Sequence, residues 1–226
     1  MLDQQHALAR GHRTEIEHLY GDNTHILDDP LSLSLLARLC STETIQPEIN
    51  ALVELLYRNL MNYVLNMEFP KRISAVETRM HSALGRKQRQ EGRGVFEGML
   101  LDRGVPVVTV DIARAGILPS LTCYNLLNQV LEPENVRQDH LIMSRSTDEA
   151  NQVVGAQISG EKIGGPIDGR IVLFPDPMGA TGSSLSTAIQ YYKDTFGGAP
   201  KELITANLIV TPQFIRRLTN DHPEVK

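Results

Sequence analysis

From residue 30 onward the chain alternates between apolar stripes at helical spacing and short runs of β-branched residues. The leucines between Leu31 and Leu39 predict a first helix. Ile49, Leu52, Val53, Leu56, Leu60, Tyr63 and Val64 then repeat at three-and-four spacing behind Pro47. That pattern predicts a longer helix with a first-turn proline and a core-facing stripe. Weak alternation over 73–80 predicts a strand, and a short apolar segment over 95–101 follows. Val105-Pro106-Val107-Val108-Thr109-Val110-Asp111-Ile112 is the near-continuous run expected of a strand buried on both faces. Beyond it the pattern predicts a helix from Leu118 and strands over 139–143 and 170–174. A helix over 183–196, a strand over 203–210 and a helix over 212–218 complete the series.

Strand then helix, repeated with short joins, predicts an α/β fold with a mostly parallel sheet and helices on both faces. Ligands of such sheets sit at the carboxyl ends of the strands. Residues 1–22 are polar and rich in His, Arg and Glu, and are expected to form a loosely attached extension. The domain proper is expected over 23–226, with Asn23 to Pro30 as an extended lead-in.

A length of 226 residues suits one such domain, and 41% hydrophobic residues suffice for a core. The formal net charge of −5 gives no general attraction to nucleic acid or anionic membranes, so an anionic ligand must be held by local charge. Nucleic acid is not expected as a partner. No apolar run approaches the ~20 residues of a membrane span, and the N-terminus lacks the order of a secretory signal. Cys40 and Cys123 sit in apolar helical patterns without metal-ligand spacing and read as buried, reduced thiols. Together these features predict a cytoplasmic protein. The basic stretch Gly85 to Gly94 reads as a solvated surface loop in preference to an anion or effector site.

The sharpest chemical signal runs from Ile171 to Leu185. A buried strand ends at Pro175, Asp176 follows, and Pro177-Met178-Gly179-Ala180-Thr181-Gly182-Ser183-Ser184 opens a helix. A helix N-terminus presents unpaired N–H groups and partial positive charge to an anion. Gly179 and Gly182 permit close backbone approach, and Thr181, Ser183 and Ser184 add hydroxyl donors. The pattern predicts a cradle for a phosphate monoester, with Asp176 placed to accept from the hydroxyls of the attached sugar. The competing reading is an ordinary strand-to-helix turn capped by serine. A Walker A loop is excluded, because no Gly-Lys-Ser/Thr follows.

Residues 171–184 resemble the phosphoribosyl diphosphate (PRPP) loop of type I phosphoribosyltransferases. Most of that superfamily carries two adjacent acids before the Thr-Gly pair. The single acid followed by Pro177-Met178 is similar to the uracil branch, whose loop reads Asp-Pro-Met-x-Ala-Thr-Gly-Gly/Ser-Ser. Two further segments match in order. Val110-Asp111-Ile112-Ala113-Arg114-Ala115-Gly116 resembles the Pro-Ile-Leu-Arg-Ala-Gly turn that cradles pyrophosphate. Leu141 to Glu149 resembles the Tyr-Arg-Asn/Asp-Glu-Glu segment, with Arg145 as the second diphosphate-binding arginine and Ser144 in place of the tyrosine.

The resemblance implies a type I phosphoribosyltransferase fold with a hairpin flap. The stretch Ser146 to Gly169, with Gly155, Gly160, Gly164 and Gly165, is the candidate flap. It also implies that PRPP and uracil are the substrates, giving UMP and pyrophosphate in pyrimidine salvage. PRPP would be bound by Arg114, Ala115, Gly116, Arg145 and Asp176 through Ser184. Arg114, Arg145 and Asp176 would carry the catalytic burden, with no protein-held metal and Mg²⁺ arriving on the PRPP oxygens. A homo-oligomer, and a nucleotide effector in some members, are further implications.

The resemblance covers about residues 25–226, including the lead-in His25 to Pro30 and His222-Pro223-Glu224-Val225. Family members continue with a strand and a loop ending Gly-Asp-Ala-Gly-Asp that holds uracil, whereas this sequence stops at Lys226. The expectation is therefore a truncated chain, or a member without the base site, and no base-binding residue is named. Two other readings stay open: a PRPP- or nucleotide-binding regulator with little catalysis, and transfer to another base.

Overall fold

The computed structural model describes residues 15–147 and 153–226, with side chains described up to Ser144 and again from Gln157. Two helices lead, α1 (Pro30–Leu39) and α2 (Glu48–Glu68). Asp29 caps α1 by accepting from the Ser32 amide at 2.8 Å, with Pro30 in the first turn. An antiparallel pair, β1 (Lys71–Glu77) and β2 (Val95–Leu101), forms its own two-stranded sheet. The alternation over 73–80 is weak because β1 is exposed along nearly its whole length. Between these strands come two short helical turns, α3 (Arg79–Ala83) and α4 (Arg86–Gln90), and the basic stretch Gly85 to Gly94 runs through the exposed second one.

The central sheet is built from β3 (Val107–Ala113), β4 (Val136–Thr147), β5 (Val153–Lys162), β6 (Ile171–Pro175) and β8 (Glu202–Ala206). Among the described residues its order is β5-β4-β3-β6-β8. β4, β3, β6 and β8 are parallel neighbours, and only β5 runs antiparallel. β5 returns beside β4 as the expected hairpin, and residues 148–152 lie outside the described residues.

Alternate residues of the strands feed two cores. Val107, Ile171, Leu173 and Ile204 pack with Tyr57, Met61 and Val64 of α2 and with Cys123 and Leu127 of α5 (Ile117–Val130). Val108, Val172, Phe174 and Leu203 pack on the other face with Leu185, Ile189 and Tyr192 of α6 (Ser183–Thr195) and Phe214 of α7 (Pro212–Asp221). This two-sided burial is why β3 and β6 are apolar without alternation. Fully burying one such side chain stabilises by about 1.5–3 kcal/mol.

Three sequence expectations are corrected. Cys40 is exposed at the C-cap of α1, since the apolar stripe of that helix buries only Leu35. The strand expected over 203–210 is two: β8 stops at Ala206, and the chain then pairs β9 (Ile209–Val210) with β7 (Met178–Gly179). The break follows from β6 ending at Pro175, beyond which β8 has no straight neighbour to pair with. The extension is not loose up to residue 22, because Glu15 bridges Leu27 and the Ile16 amide donates to Ile26 at 2.9 Å. Residues 1–14 lie outside the described residues. No helix among the described residues is long and apolar enough to cross a membrane.

Candidate active site

The carboxyl ends of β3, β4 and β6 open into a cavity of about 840 Å³. Arg114 and Ala115 line it beyond β3, and Met143 and Ser144 line it from β4. Asp176 and the whole loop from Met178 to Ser184 line it beyond β6. Three segments distant in sequence are thus brought to one opening.

The loop is held from behind. The Asp176 amide donates to Ala206 at 3.1 Å, and Asn207 Nδ2 donates to the Asp176 carbonyl at 2.6 Å. The Pro177 carbonyl accepts from the amides of Leu208 and Ile209, and the Gly179 carbonyl accepts from Thr211 at 2.9 Å. Thr211 joins two structures: its hydroxyl donates to the Ala180 carbonyl while accepting from the Phe214 amide, which caps α7. The break between β8 and β9 is what makes these carbonyl acceptors reachable.

Gly179 has to be glycine because a Cβ would stand 2.3 Å from the Phe214 ring. Gly182 takes φ +75° as the N-cap of α6, a left-handed conformation that other residues adopt at a cost. Past it, the first-turn amides of α6 have no helical carbonyl to donate to. The Thr181 and Ser183 hydroxyls lie 3.1 Å apart on the exposed rim.

Asp176 is half-buried. Burial pushes its carboxyl up to about 6, and the Met178 amide, which donates to it, opposes that rise. A carboxylate held near its ionisation point gains most from a ligand that brings hydrogen-bond donors or positive charge beside it.

The turn beyond β3 is differently built. The Ala113–Arg114 peptide is cis, and the Arg114 side chain is exposed. Gly116 closes the turn by donating to the Ile112 carbonyl at 3.0 Å, and a Cβ there would meet the Ile112 amide nitrogen at 2.8 Å. The Gly116 amide is therefore committed within the turn, and Gly116 and Pro177 stand behind the cavity wall. Arg145 lies on β4 directly after Ser144, and its side chain lies outside the described residues.

Sequence reasoning did not find Phe214, Thr211 or Asn207. A signal for each is present: Thr211-Pro212 is a helix-cap pair, and Asn207 interrupts an apolar run.

Comparison with known proteins agrees with this arrangement. The AQ2163 protein from Aquifex aeolicus superposes with a TM-score of 0.65 at 22% identity, over 88% of this chain and 82% of that one. An adenine phosphoribosyltransferase from Trypanosoma brucei, solved with AMP, pyrophosphate and ribose 5-phosphate, gives a TM-score of 0.52 at 14% identity. It covers 93% of this chain and 80% of its own. At such identities the likeness shows a shared fold. The model of the family described as uracil phosphoribosyltransferase matches residues 26–226. With the match running through every strand of the sheet and both walls of the cavity, the chain belongs to the uracil phosphoribosyltransferase family.

Proposed function

We propose that the protein transfers the phosphoribosyl group of PRPP to uracil, giving UMP and pyrophosphate. One observation carries the reading: a helix-opening phosphate loop and an exposed arginine turn share the walls of one cavity. PRPP is a ribose with a phosphate at one end and a diphosphate at the other, and it needs such a pair of anion sites. The 5′-phosphate is assigned to the amides and hydroxyls of Ala180 to Ser184. The ribose hydroxyls fall to Asp176, and the diphosphate to Arg114, the Ala115 amide and Arg145.

In the reaction the C1′–O bond to pyrophosphate breaks and its electron pair leaves with pyrophosphate. Uracil N1 bonds to C1′ and loses its proton. Positive charge grows on the ribose ring, where the Asp176 carboxylate opposes it, and negative charge grows on the leaving group, where Arg114 meets it. Holding both ends of PRPP also fixes C1′ for attack, which by itself supplies several kcal/mol.

The donor set of the cavity is one carboxylate, an arginine, amides and hydroxyls. That set fits a Mg²⁺ ion held chiefly by the PRPP oxygens, with Asp176 the protein carboxylate nearest the sugar. When bound, the ion supplies further neutralisation of the diphosphate. The test is product formation from a panel of bases with PRPP and Mg²⁺, using the product of the complete gene. UMP formed from uracil in preference to other pyrimidines and purines is the expected result. Efficient transfer to a different base, or PRPP binding without transfer to any base, would contradict it.

A further inference from the structure

Asp111 is a buried acid that the proposed mechanism leaves unused. Its register partner across the parallel β3–β4 ladder is His140, and Asp111 Oδ1 lies 2.5 Å from His140 Nδ1. The carboxylate is 2% exposed, whereas the imidazole is 46% exposed. Register places them in a graded row on one face of the sheet. Val107 pairs with Val136, Thr109 with Gln138, Asp111 with His140 and Ala113 with Ile142. The row runs from an apolar pair in the core through a polar pair to the Asp111–His140 pair, and ends apolar at Ala113 and Ile142.

α5, packed over this face, reaches Gln138 through the Ser120 hydroxyl at 3.1 Å. Its first residues, Ile117 to Thr122, carry no ionisable side chain. On the other side of β3, β6 ends at Pro175, with Asp176 following in the loop. His140 is therefore the basic side chain facing Asp111 from these elements. Burial raises the Asp111 carboxyl above its ordinary range, and His140 opposes that rise.

The position of the pair gives it a job. Asp111 stands three residues before Arg114 and next to Ile112, whose carbonyl anchors the turn through the Gly116 amide. His140 stands five residues before Arg145 on β4. Resting on the assignment of Arg114 and Arg145 to the diphosphate, we infer that the Asp111–His140 pair is a positioning element. It locks the ends of β3 and β4 together, so that the two arginines meet one diphosphate at a fixed spacing. A displacement of about 1 Å at such a site costs up to roughly a hundredfold in rate, and the Asp111–His140 contact in the strands beneath the turn is where that spacing is set. Neither residue is among those lining the cavity.

The test compares PRPP with UMP, which uses the phosphate loop but carries no diphosphate. Affinities for both ligands are measured on wild type, Asp111→Asn, His140→Gln and the double variant, with melting temperatures alongside. PRPP affinity should fall about tenfold in each single variant and no further in the double variant, because the two residues act as one unit. UMP affinity should stay within about twofold, the scatter of an uncoupled site. Equal losses for PRPP and UMP would make the pair merely structural and overturn the inference, as would additive losses in the double variant. His140→Gln alters a half-exposed side chain and keeps the test open if Asp111→Asn does not fold. Wild type without PRPP affinity would remove the underlying assignment, and the inference with it.

Discussion

The two walls of the cavity to which we assign the phosphate and the diphosphate of PRPP are built by different means. The phosphate loop is a contiguous run, Asp176 to Ser184, whose carbonyls are held by the 206–211 segment and whose glycines are dictated by Phe214 and by φ. The end assigned to the diphosphate draws on two strands, with an exposed arginine on a tight turn and the cross-strand Asp111–His140 contact beneath it. One end is held because its carbonyls accept hydrogen bonds from the 207–211 segment, and the other depends on the relative position of β3 and β4. Damage to the first should therefore register as lost stability and lost phosphate affinity together. Damage to the second should register in PRPP binding and turnover while the fold stands.

The largest effect is expected at Arg114. Arg114→Ala should lower turnover by about 10²–10³, the usual loss for one transition-state donor, while UMP affinity and the melting temperature stay near wild type. Steady-state kinetics with calorimetry checks this, and a stability collapse with activity retained would make Arg114 structural. Gly179→Ala attacks the other end. With its Cβ 2.3 Å from the Phe214 ring, it should destabilise by about 1–3 kcal/mol and weaken UMP binding in the same protein, as a denaturation curve and a titration would show. Gly182→Ala, forced to φ +75°, should cost about 1 kcal/mol with a milder loss of phosphate affinity.

A smaller effect concerns pH. The folded carboxyl of Asp176 is raised to about 6 from an unfolded value of about 3.9. Its contribution to stability is therefore full below about 4 and is lost as pH rises through about 6. Asp176→Asn should accordingly melt higher than wild type at pH 7.5 and lose that advantage below about 4, while transferring phosphoribosyl groups poorly at every pH. Melting temperatures of both proteins across this range decide it. An Asn variant less stable than wild type at pH 7.5 would show that the carboxylate supports the fold.

The same contrast explains what could be read from the chain. The strand, loop and helix over 171–195 were legible because they are adjacent in sequence, and β3 was legible because burial on both faces leaves a near-continuous apolar run. The helix after Pro47 was legible from its stripe. What escaped depends on pairing between distant segments. The β8–β9 break exists because β6 ends, and Asp111 reads as a blemish in an apolar strand until the register sets it beside His140. Phe214 explains Gly179 only once α7 is packed against the loop. Cys40 was misread because an apolar stripe does not say how far along a short helix burial continues.

The polarity of PRPP in the cavity is the claim on which the other assignments depend. A crystal structure with PRPP and Mg²⁺ tests it directly. The account predicts the 5′-phosphate within hydrogen-bonding distance of the amides of residues 180–184, Asp176 on the ribose hydroxyls, and the diphosphate against Arg114. A ligand bound in the reverse direction, or a 5′-phosphate lodged away from this loop, would contradict it.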